Sequence, residues 1–446
     1  MRILLQILVI ALFVGSTIAQ GSNKSIQMNL KQCLERALSV SPDIEQAILE
    51  VEKLEAGLSQ AKFASIVPRL QWTGILGPAP GIAGDIENVE TIRSDLSNIG
   101  LFSQTKFELV QPLYTFGKLS NTRKAAKFGL EAGEAAVELK KAKIVLQVKK
   151  LFFGLLLASR LHEIVLESEI KVGNARKLVT QMIEEDSEVV GQNDLLRIDV
   201  FEYETRKNKT KVETSIKMSK AALMKLLEID RSTDFEIIYP DIIDYGVVLE
   251  GLSIYIKKAK NRRYDLKQLQ AGVVARRALM KVSKSDFYPQ IALAGTLQWG
   301  IAPHRPELDN PFLKDEFNFF RGGAVITLKQ NFNFGLTRAK YLTRRAELES
   351  LISKQSQAMN VIELEVEKTY RQVIDALSNM KDSDRAFRSA KAWLTSAKMG
   401  FDVNGDITEL LNAHTAYARM QEEYERSIFG LQVSLSELDY VTGEKY

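Results

Sequence analysis

The sequence predicts an α+β fold in which long helical hairpins are joined to pairs of β-strands. Three observations support this prediction: long windows without proline, a heptad-like apolar seam in each window, and alternating side chains where prolines and glycines cluster. The 446 residues include only 10 prolines, and none lies between Leu113 and Tyr239 or after Pro311. Because proline breaks the interior of a helix, both windows can hold very long helices.

Each proline-free window carries an apolar seam whose members step by four and three residues, as in a heptad repeat. The seams comprise Phe128, Ala132, Ala135, Leu139, Ala142 and Leu146 in the first window, and Ile362, Val366, Thr369, Val373, Ala376 and Met380 in the second. We therefore predict a helix from about Lys118 to Ile183, on the order of 100 Å long. Turn residues at Glu184–Glu188 and Asp402–Asp406 make each window a hairpin. Several ordinary helices in one bundle are the alternative.

Two strand pairs are predicted between the helical windows. Side chains alternate cleanly over Gln290–Ile301 and again over Ala324–Phe334, while Arg69–Gly74 alternates briefly and Gln104–Tyr114 is mixed. Strands of about ten residues suit a tilted crossing of a membrane. An ordinary two-layer antiparallel sheet explains the alternation equally well.

The first nineteen residues are predicted to be a secretory signal peptide. A positive start, Met1-Arg2, is followed by an apolar run over Ile3–Val14 and by small residues that place cleavage after Ala19. An N-terminal membrane anchor is the alternative. Elsewhere the longest apolar run, Leu151–Ala158, is too short for a spanning helix.

Landmarks recur in the same order in the two halves of the chain. Three pairs of segments show the recurrence: Ile66-Val67-Pro68 with Phe287-Tyr288-Pro289, Tyr114-Thr115-Phe116-Gly117 with Phe332-Asn333-Phe334-Gly335, and Asp194-Leu195-Leu196 with Glu409-Leu410-Leu411. We therefore divide the chain into a first structural repeat at 20–229, a connecting segment at 230–261 and a second repeat at 262–446. Two such halves predict one fold, not two independent domains.

Composition excludes several classes of function. A formal net charge of +4 is too small for a dedicated nucleic-acid binder. One cysteine, Cys33, excludes a disulfide framework and a cysteine-based zinc cluster, and the 3 histidines are far apart in sequence. The chain lacks a glycine-rich phosphate loop, a zinc-protease motif and a serine nucleophile elbow. We expect no enzyme activity, no catalytic or metal-binding residues and no cofactor.

These landmarks make the chain resemble the TolC-like outer-membrane efflux proteins of Gram-negative bacteria. The resemblance covers nearly all of the chain after the signal peptide. It rests on Leu34, Ala37, Leu38, Pro42 and Asp43, on the strand starts at Pro68 and Pro289, and on the segment Gln111–Lys118 with Pro112 and Gly117, which Gly335 matches in the second half. The resemblance implies a homotrimer. Each protomer would give four strands to one twelve-stranded β-barrel in outer-membrane lipid, and its helices would join a hollow α-barrel that projects into the periplasm.

Strand number supports the same assembly without the resemblance. Four strands cannot close a barrel, and an open sheet edge is not tolerated in lipid. The smallest closed bacterial barrels have about eight strands. Strands from several chains are therefore expected to combine.

The resemblance implies an outer-membrane exit duct for a tripartite efflux or type I secretion system, with a periplasmic adaptor protein and an inner-membrane transporter as partners. Candidate residues for a periplasmic gate are the acids near the hairpin tips: Asp186, Glu188, Asp194, Asp402, Asp406 and Glu409. Threefold repetition would concentrate each acid into a ring, as in charged pore constrictions. The alternative is that these acids solvate turns or cap helix starts.

One departure from the family concerns the same tips. The family often has a glycine six residues before the acidic-Leu-Leu motif, where this chain has Glu188 and Val403. The geometry of the tips and the choice of adaptor therefore stay open. A soluble periplasmic coiled-coil adaptor or scaffold is the alternative function, although such adaptors usually have one hairpin where this chain has two.

Overall fold

The structure, a computed structural model, describes residues 26–84, 89–186, 190–238, 248–306, 308, 314–404 and 407–445. The predicted signal peptide at 1–19 lies outside the described residues. The elements are β1 (Ile26–Met28), α1 (Leu30–Val40), α2 (Pro42–Ile66), β2 (Arg69–Ala83), β3 (Arg93–Tyr114), α3 (Lys118–Glu184), α4 (Gln192–Leu226), β4 (Phe235–Ile237), α5 (Leu252–Arg262), α6 (Tyr264–Ser285), β5 (Gln290–Ile301), β6 (Phe319–Lys329), α7 (Phe334–Asn404) and α8 (Ile407–Thr442). A single 3₁₀ turn at Val89–Thr91 precedes β3.

The two long helices are continuous, as the missing prolines predict. Helix α3 has 67 residues and α7 has 71, so the alternative of several shorter helices in each window is wrong. Helix α3 ends at Glu184 and α4 begins at Gln192, while α7 ends at Asn404 and α8 begins at Ile407. A break between two helices is confirmed at each predicted turn, although Glu184 still belongs to α3 and 402–404 still belong to α7. Among the described residues, no helix carries an apolar stretch long enough to cross a membrane.

The start of α3 depends on a glycine. Gly117 has φ +84° and Phe116 has φ +49°, so the chain turns through the left-handed region just before the helix. The Gly117 carbonyl oxygen then accepts hydrogen bonds from the backbone N–H of Asn121 at 3.0 Å and from its Nδ2 at 2.7 Å. Gly335 differs, because it lies inside the first turn of α7.

One antiparallel sheet holds the four long strands in the order β2-β3-β5-β6. The expected bounds of β5 are confirmed, and Pro68 and Pro289 each stand directly before a strand. Strands β2 and β3 have 15 and 22 residues, more than the ten expected, because their pairing continues past an irregularity at Pro80/Gly81. A second register shift lies between Pro112 and Tyr114.

The expected strand over Ala324–Phe334 is wrong at both ends. Strand β6 begins at Phe319 and ends at Lys329, and α7 already begins at Phe334. The Asn333 carbonyl oxygen accepts the Thr337 N–H at 2.9 Å, which starts the helix. Phe332 and Phe334 fit the alternation of a strand in the sequence. In the structure their rings are in edge contact at 5.8 Å where the helix begins.

The chain forms two compact units, and each takes segments from both halves of the sequence. One unit comprises Met1–Ser41, Ile144–Leu249 and Arg371–Leu438, of which the described residues hold β1, α1, α4, β4, α8 and the later parts of α3 and α7. We call it the hairpin unit. The other comprises Pro42–Lys143, Glu250–Tyr370 and Asp439–Tyr446 and holds the four-stranded sheet. We call it the sheet unit.

In the hairpin unit, β1 and α1 are anchored to the end of α4 and to β4. Strands β1 and β4 pair in parallel, with Ile26 opposite Phe235. Arg36 donates from Nε to the Leu227 carbonyl oxygen at 2.8 Å. Cys33 is fully buried in α1, and burial raises the pKa of its thiol to about 11. A thiol of that kind is a packed apolar group with little reactivity.

In the sheet unit, a half-buried arginine joins α6 to α7. Arg263 donates to Asp265 at 2.7 Å, to Glu365 at 2.6 Å and to the Val441 carbonyl oxygen at 3.2 Å. Its pKa is raised because the hydrogen bonds and charges of both carboxylates outweigh the effect of burial. The guanidinium therefore stays charged and joins three segments of the unit.

Candidate functional site

The strand register divides the four-stranded sheet into two unlike faces. Because side chains alternate along a strand, residues paired across the sheet share a face. One such row runs Trp72, Phe107, Leu297 and Gly322. The face with this row, which we call the apolar face, carries Leu70, Trp72, Leu76, Ile99, Leu101, Phe107, Leu109, Ile291, Leu293, Leu297, Trp299, Ile301, Phe320, Ile326 and Leu328. It has no charged residue over 69–80, 99–114, 290–301 and 319–329.

Every charged residue in those same strand segments lies on the opposite face, the polar face. They are Arg69, Lys106, Glu108, Arg321 and Lys329. Gln71, Thr73, Gln104, Thr296, Gln298 and Thr327 share this face, as do the apolar residues Ile75, Phe102, Val110 and Val325. The segregation of charge is therefore complete over these four segments, which leave out the part of β3 that pairs beyond the irregularity at Pro80/Gly81 and carries Arg93 and Asp95.

The apolar face is exposed within the chain. Leu76 and Phe320 are each 74% exposed, and Ile326 is 72% exposed. A contiguous apolar surface of this extent marks contact with a membrane or with another protein. The two edge strands of the sheet, β2 and β6, each have only one partner strand in the described part of the chain. Each therefore presents a row of unpaired backbone N–H and C=O groups.

Aromatic rings gather where the sheet meets the long helices. Phe116 stacks on Tyr288 at 5.1 Å and meets Tyr114 edge-on at 4.7 Å. Farther along the strands the apolar face carries Trp72 and Trp299. From the row of Ile291 to the row of Trp299 the strand is roughly 26 Å long at 3.3 Å per residue, which at the usual tilt of barrel strands would cover about 20 Å of the apolar band on membrane barrels. Aromatic belts of this kind occur at both membrane–water interfaces.

The described residues between β5 and β6, at 302–306 and 314–318, fold onto the polar face. The His304 ring lies against Gly100, where an added Cβ would stand 2.1 Å from the ring, so only glycine fits. His304 Nε2 lies 2.8 Å from the Ala79 carbonyl oxygen. Ala79, Phe102 and Ala302 form a small core, which Phe317 covers.

A buried ion pair holds this connecting segment together. Arg305 and Asp315 are joined at 3.2 Å, and their side chains are only 8% and 6% exposed. Arg305 also donates to the Pro80 carbonyl oxygen, and its guanidinium lies 4.6 Å from the centre of the Phe317 ring. Sequence analysis assigned no role to His304, Arg305 or Asp315.

The acids predicted near the hairpin tips differ in their surroundings. Asp194 accepts a hydrogen bond from the Gly191 N–H at 3.1 Å and lies 3.8 Å from Arg197. Glu409 accepts from Trp393 Nε1 at 2.7 Å in the first turn of α8. Both therefore have partners at the start of a helix, where negative charge is favoured. Asp186 follows α3 with φ +53°. Glu188, Asp406 and the side chain of Asp402 lie outside the described residues.

The starts of α4 and α8 are held together in the hairpin unit. Arg197 Nη1 donates to Thr408 Oγ1 at 2.6 Å. Beneath this contact Val179, Val190, Ile198, Ile407 and Leu411 form one apolar core. Sequence analysis missed Arg197, although its position three residues after Asp194 is a known spacing for a helical ion pair.

A cavity of about 510 Å³ lies among α3, α4, α7 and α8 in the hairpin unit, and His414 lines it with Lys171 and Lys398. Burial and the two lysines lower the pKa of His414 to about 4. The imidazole is therefore neutral in the folded chain. No cluster of three or more histidine, cysteine or acidic residues in the described ranges could hold a metal ion.

Acid is expected to destabilise the protein in part through His414. Its pKa falls from an ordinary value of 6.5 to about 4 in the fold, so the unfolded chain binds a proton that the folded chain refuses. The stability contribution is full above pH 6.5 and is lost as the pH falls toward 4. In detergent, lowering the pH from 6.5 to about 4 should reduce the melting temperature of His414→Gln by less than that of the wild type. Parallel pH profiles for His414→Gln and the wild type would refute this role of His414.

No family model matches the sequence, and no curated protein matches it. Solved structures do match. The outer-membrane channel CmeC of Campylobacter jejuni has a TM-score of 0.76 at 14% identity, with 93% of this chain and 85% of that chain covered. The outer-membrane protein VceC of Vibrio cholerae has a TM-score of 0.74 at 14% identity, with 93% and 96% covered. The outer-membrane channel OprN has a TM-score of 0.76 at 15% identity, with 93% and 90% covered.

These likenesses confirm the fold that the sequence resemblance predicted. The chain has the TolC-like channel fold over nearly its whole length. At identities of 14–15% the comparison concerns the fold.

Proposed function

We propose that the chain is the exit duct of a tripartite efflux or type I secretion system in the outer membrane of a Gram-negative bacterium. Three copies would each give β2, β3, β5 and β6 to one closed barrel of twelve strands, with the apolar face toward lipid and the polar face toward a water-filled lumen. The observation that carries this proposal is the segregation of charge between the two faces of the sheet over 69–80, 99–114, 290–301 and 319–329. A lipid-facing surface must be free of charge, while a lumen need not be.

The free edges of β2 and β6 support the same assembly. Unsatisfied backbone N–H and C=O groups cost several kcal/mol each in hydrocarbon, by order of magnitude. Pairing β6 of one protomer with β2 of the next would satisfy both edges and close the sheet. The helices would then lie in the periplasm, where an adaptor protein and an inner-membrane transporter complete the system. The duct itself would carry out no chemical reaction.

A soluble periplasmic adaptor or scaffold is the competing function. It explains the long hairpins, but it leaves Leu76, Phe320 and Ile326 in water on a sheet that also has two free edges. Cell fractionation separates the two functions. A barrel protein should remain with the outer membrane until detergent extraction, whereas a soluble adaptor should appear in the periplasmic fraction after osmotic shock.

Ion conductance tests the channel directly. Purified full-length protein in planar bilayers should give stable conductance steps, because a closed barrel has a water-filled lumen. A preparation that inserts into the bilayer without conducting under any condition would refute the duct.

We propose in addition that acids at the hairpin tips gate the periplasmic entrance. Asp194 and Glu409 have partners at helix starts, so the test concentrates on Asp186, Glu188, Asp402 and Asp406. Neutralising these four together with Asn or Gln should change the voltage dependence of opening, because rings of charge set the barrier in narrow pores. The double variant Asp194→Asn/Glu409→Gln is the comparison and should alter stability more than gating. Unchanged gating in the fourfold variant would contradict the proposal.

A further inference from the structure

The polar face of the sheet carries an excess of positive charge. Over 69–80, 99–114, 290–301 and 319–329 its charged residues are four cations, Arg69, Lys106, Arg321 and Lys329, and one carboxylate, Glu108. Lys106 and Glu108 form an ion pair at 2.7 Å and cancel each other. Arg69, Arg321 and Lys329 remain, all three exposed. None of the three makes an ion pair with an acid of the described residues. Over these described strand segments, the face of one chain therefore has three cations without an ion-pair partner.

Arg321 is held in place on this face. Its Nη2 donates to the Asp315 carbonyl oxygen at 2.8 Å, and the guanidinium lies 4.3 Å from the centre of the Phe319 ring. Both partners are uncharged groups, so they fix the position of the guanidinium without neutralising it. The Asp315 carboxylate itself is bound to Arg305 and adds no free negative charge.

We propose that Arg69, Arg321 and Lys329 make the strand-lined passage selective for anionic solutes. This inference rests on the proposed function, in which the polar face lines the lumen. Threefold repetition would arrange each residue as a ring of positive charge, and such rings attract anions and repel cations. A lumen with low-dielectric walls strengthens the effect, and salt weakens it beyond about 8 Å at physiological ionic strength.

The preferred cargo class follows from this charge. Solutes with a carboxylate, sulfonate or phosphate group would be concentrated in the strand-lined part of the duct, while cationic solutes would be depleted there. The selection would act on the charge of the solute, because the inference rests on three exposed cations.

The test changes the charge at position 321 after the channel has folded. Arg321→Cys is placed in planar bilayers under a KCl gradient and treated with a methanethiosulfonate reagent, which forms a mixed disulfide with the thiol and releases methanesulfinate. The trimethylammonioethyl reagent restores a positive charge, and the sulfonatoethyl reagent adds a negative one. The native Cys33 does not interfere, since it is fully buried and its thiol has a pKa of about 11.

The sulfonate should move the reversal potential toward the potassium equilibrium potential, and the ammonium should move it toward that of chloride. The triple variant Arg69→Gln/Arg321→Gln/Lys329→Gln should lower the chloride-to-potassium permeability ratio by roughly twofold or more at low salt. Phe320→Cys is the matched control on the apolar face of the same strand, and neither reagent should change its reversal potential.

The outcomes distinguish the failure of anion selectivity from the failure of the proposed duct. If the protein conducts but its reversal potential does not change with the charge at position 321, anion selectivity is overturned and the duct is not. A charge effect at Phe320→Cys equal to that at Arg321→Cys would overturn the assignment of the faces and the inference with it. Absence of any conductance would refute the duct itself.

Discussion

Lysine in place of Ile326 is expected to prevent folded protein from accumulating in the outer membrane, whereas lysine in place of its neighbour Val325 is not. The two residues are adjacent on β6 and both are exposed in the chain, at 72% and 59%. Ile326 pairs with Leu293 on the apolar face, and Val325 pairs with Ala294 on the polar face. A lysine on the lipid side of a membrane barrel costs about 2–4 kcal/mol near the bilayer centre, and the trimer would carry it three times.

The measurement is the amount of protein in washed outer membranes and its migration as a folded species before and after heating. Val325→Lys should reach nearly the wild-type amount, and Ile326→Lys should be strongly reduced or degraded. The comparison is independent of the strand propensity of lysine, because both variants place it in the same strand. Equal loss in both variants, or none in either, would contradict a sheet with one face in lipid.

Methionine in place of Arg305 is expected to release the connection between β5 and β6 from the polar face. The change leaves the Asp315 carboxylate, which is 6% exposed, without its cation. Breaking a buried ion pair in this way typically costs about 3–5 kcal/mol. The rest of the sheet should stay intact, because the strand pairing does not involve either side chain.

Hydrogen exchange of the detergent-solubilised protein measures this release. Backbone amides in 302–306 and 314–318 should exchange much faster in Arg305→Met than in the wild type, while β5 stays protected. The control is Arg345→Met, which removes an exposed arginine from a helical pair with Glu349 and should change little. The double variant Arg305→Met/Asp315→Leu should recover part of the protection, because apolar replacement of both partners removes the unpaired charge. Unchanged exchange in Arg305→Met would show that the ion pair does not hold the segment.

Sequence patterns predicted the long elements well, since each depends on local rules. The bounds of β5 follow from alternation over twelve residues, and the continuity of α3 follows from the missing prolines. The predicted bounds of β6 were wrong because Phe332 and Phe334 fit the alternation of a strand. In the structure they form an aromatic pair at the start of α7. The extra length of β2 and β3 depends on cross-strand pairing past an irregularity, which no single-strand pattern reveals.

The candidate sites were predictable to different degrees. Segregation of charge between the faces needs only the strand register and the alternation of side chains, and the sequence already contains the alternation. The contact between Arg305 and Asp315 depends on how a connecting segment folds back, so no spacing rule predicts it. The hydrogen-bond partners of Asp194 and Glu409 were not equally predictable. Gly191 lies three residues before Asp194, whereas Trp393 belongs to a different helix from Glu409.

The central claim is that the free edges of β2 and β6 are satisfied only by copies of the same chain. Native mass spectrometry of the full-length protein, released from a mild detergent, tests it most directly. The account predicts a single species with the mass of three chains, whose strand content by circular dichroism persists until the trimer dissociates. A monodisperse single chain that keeps its β-structure in the absence of detergent would contradict it.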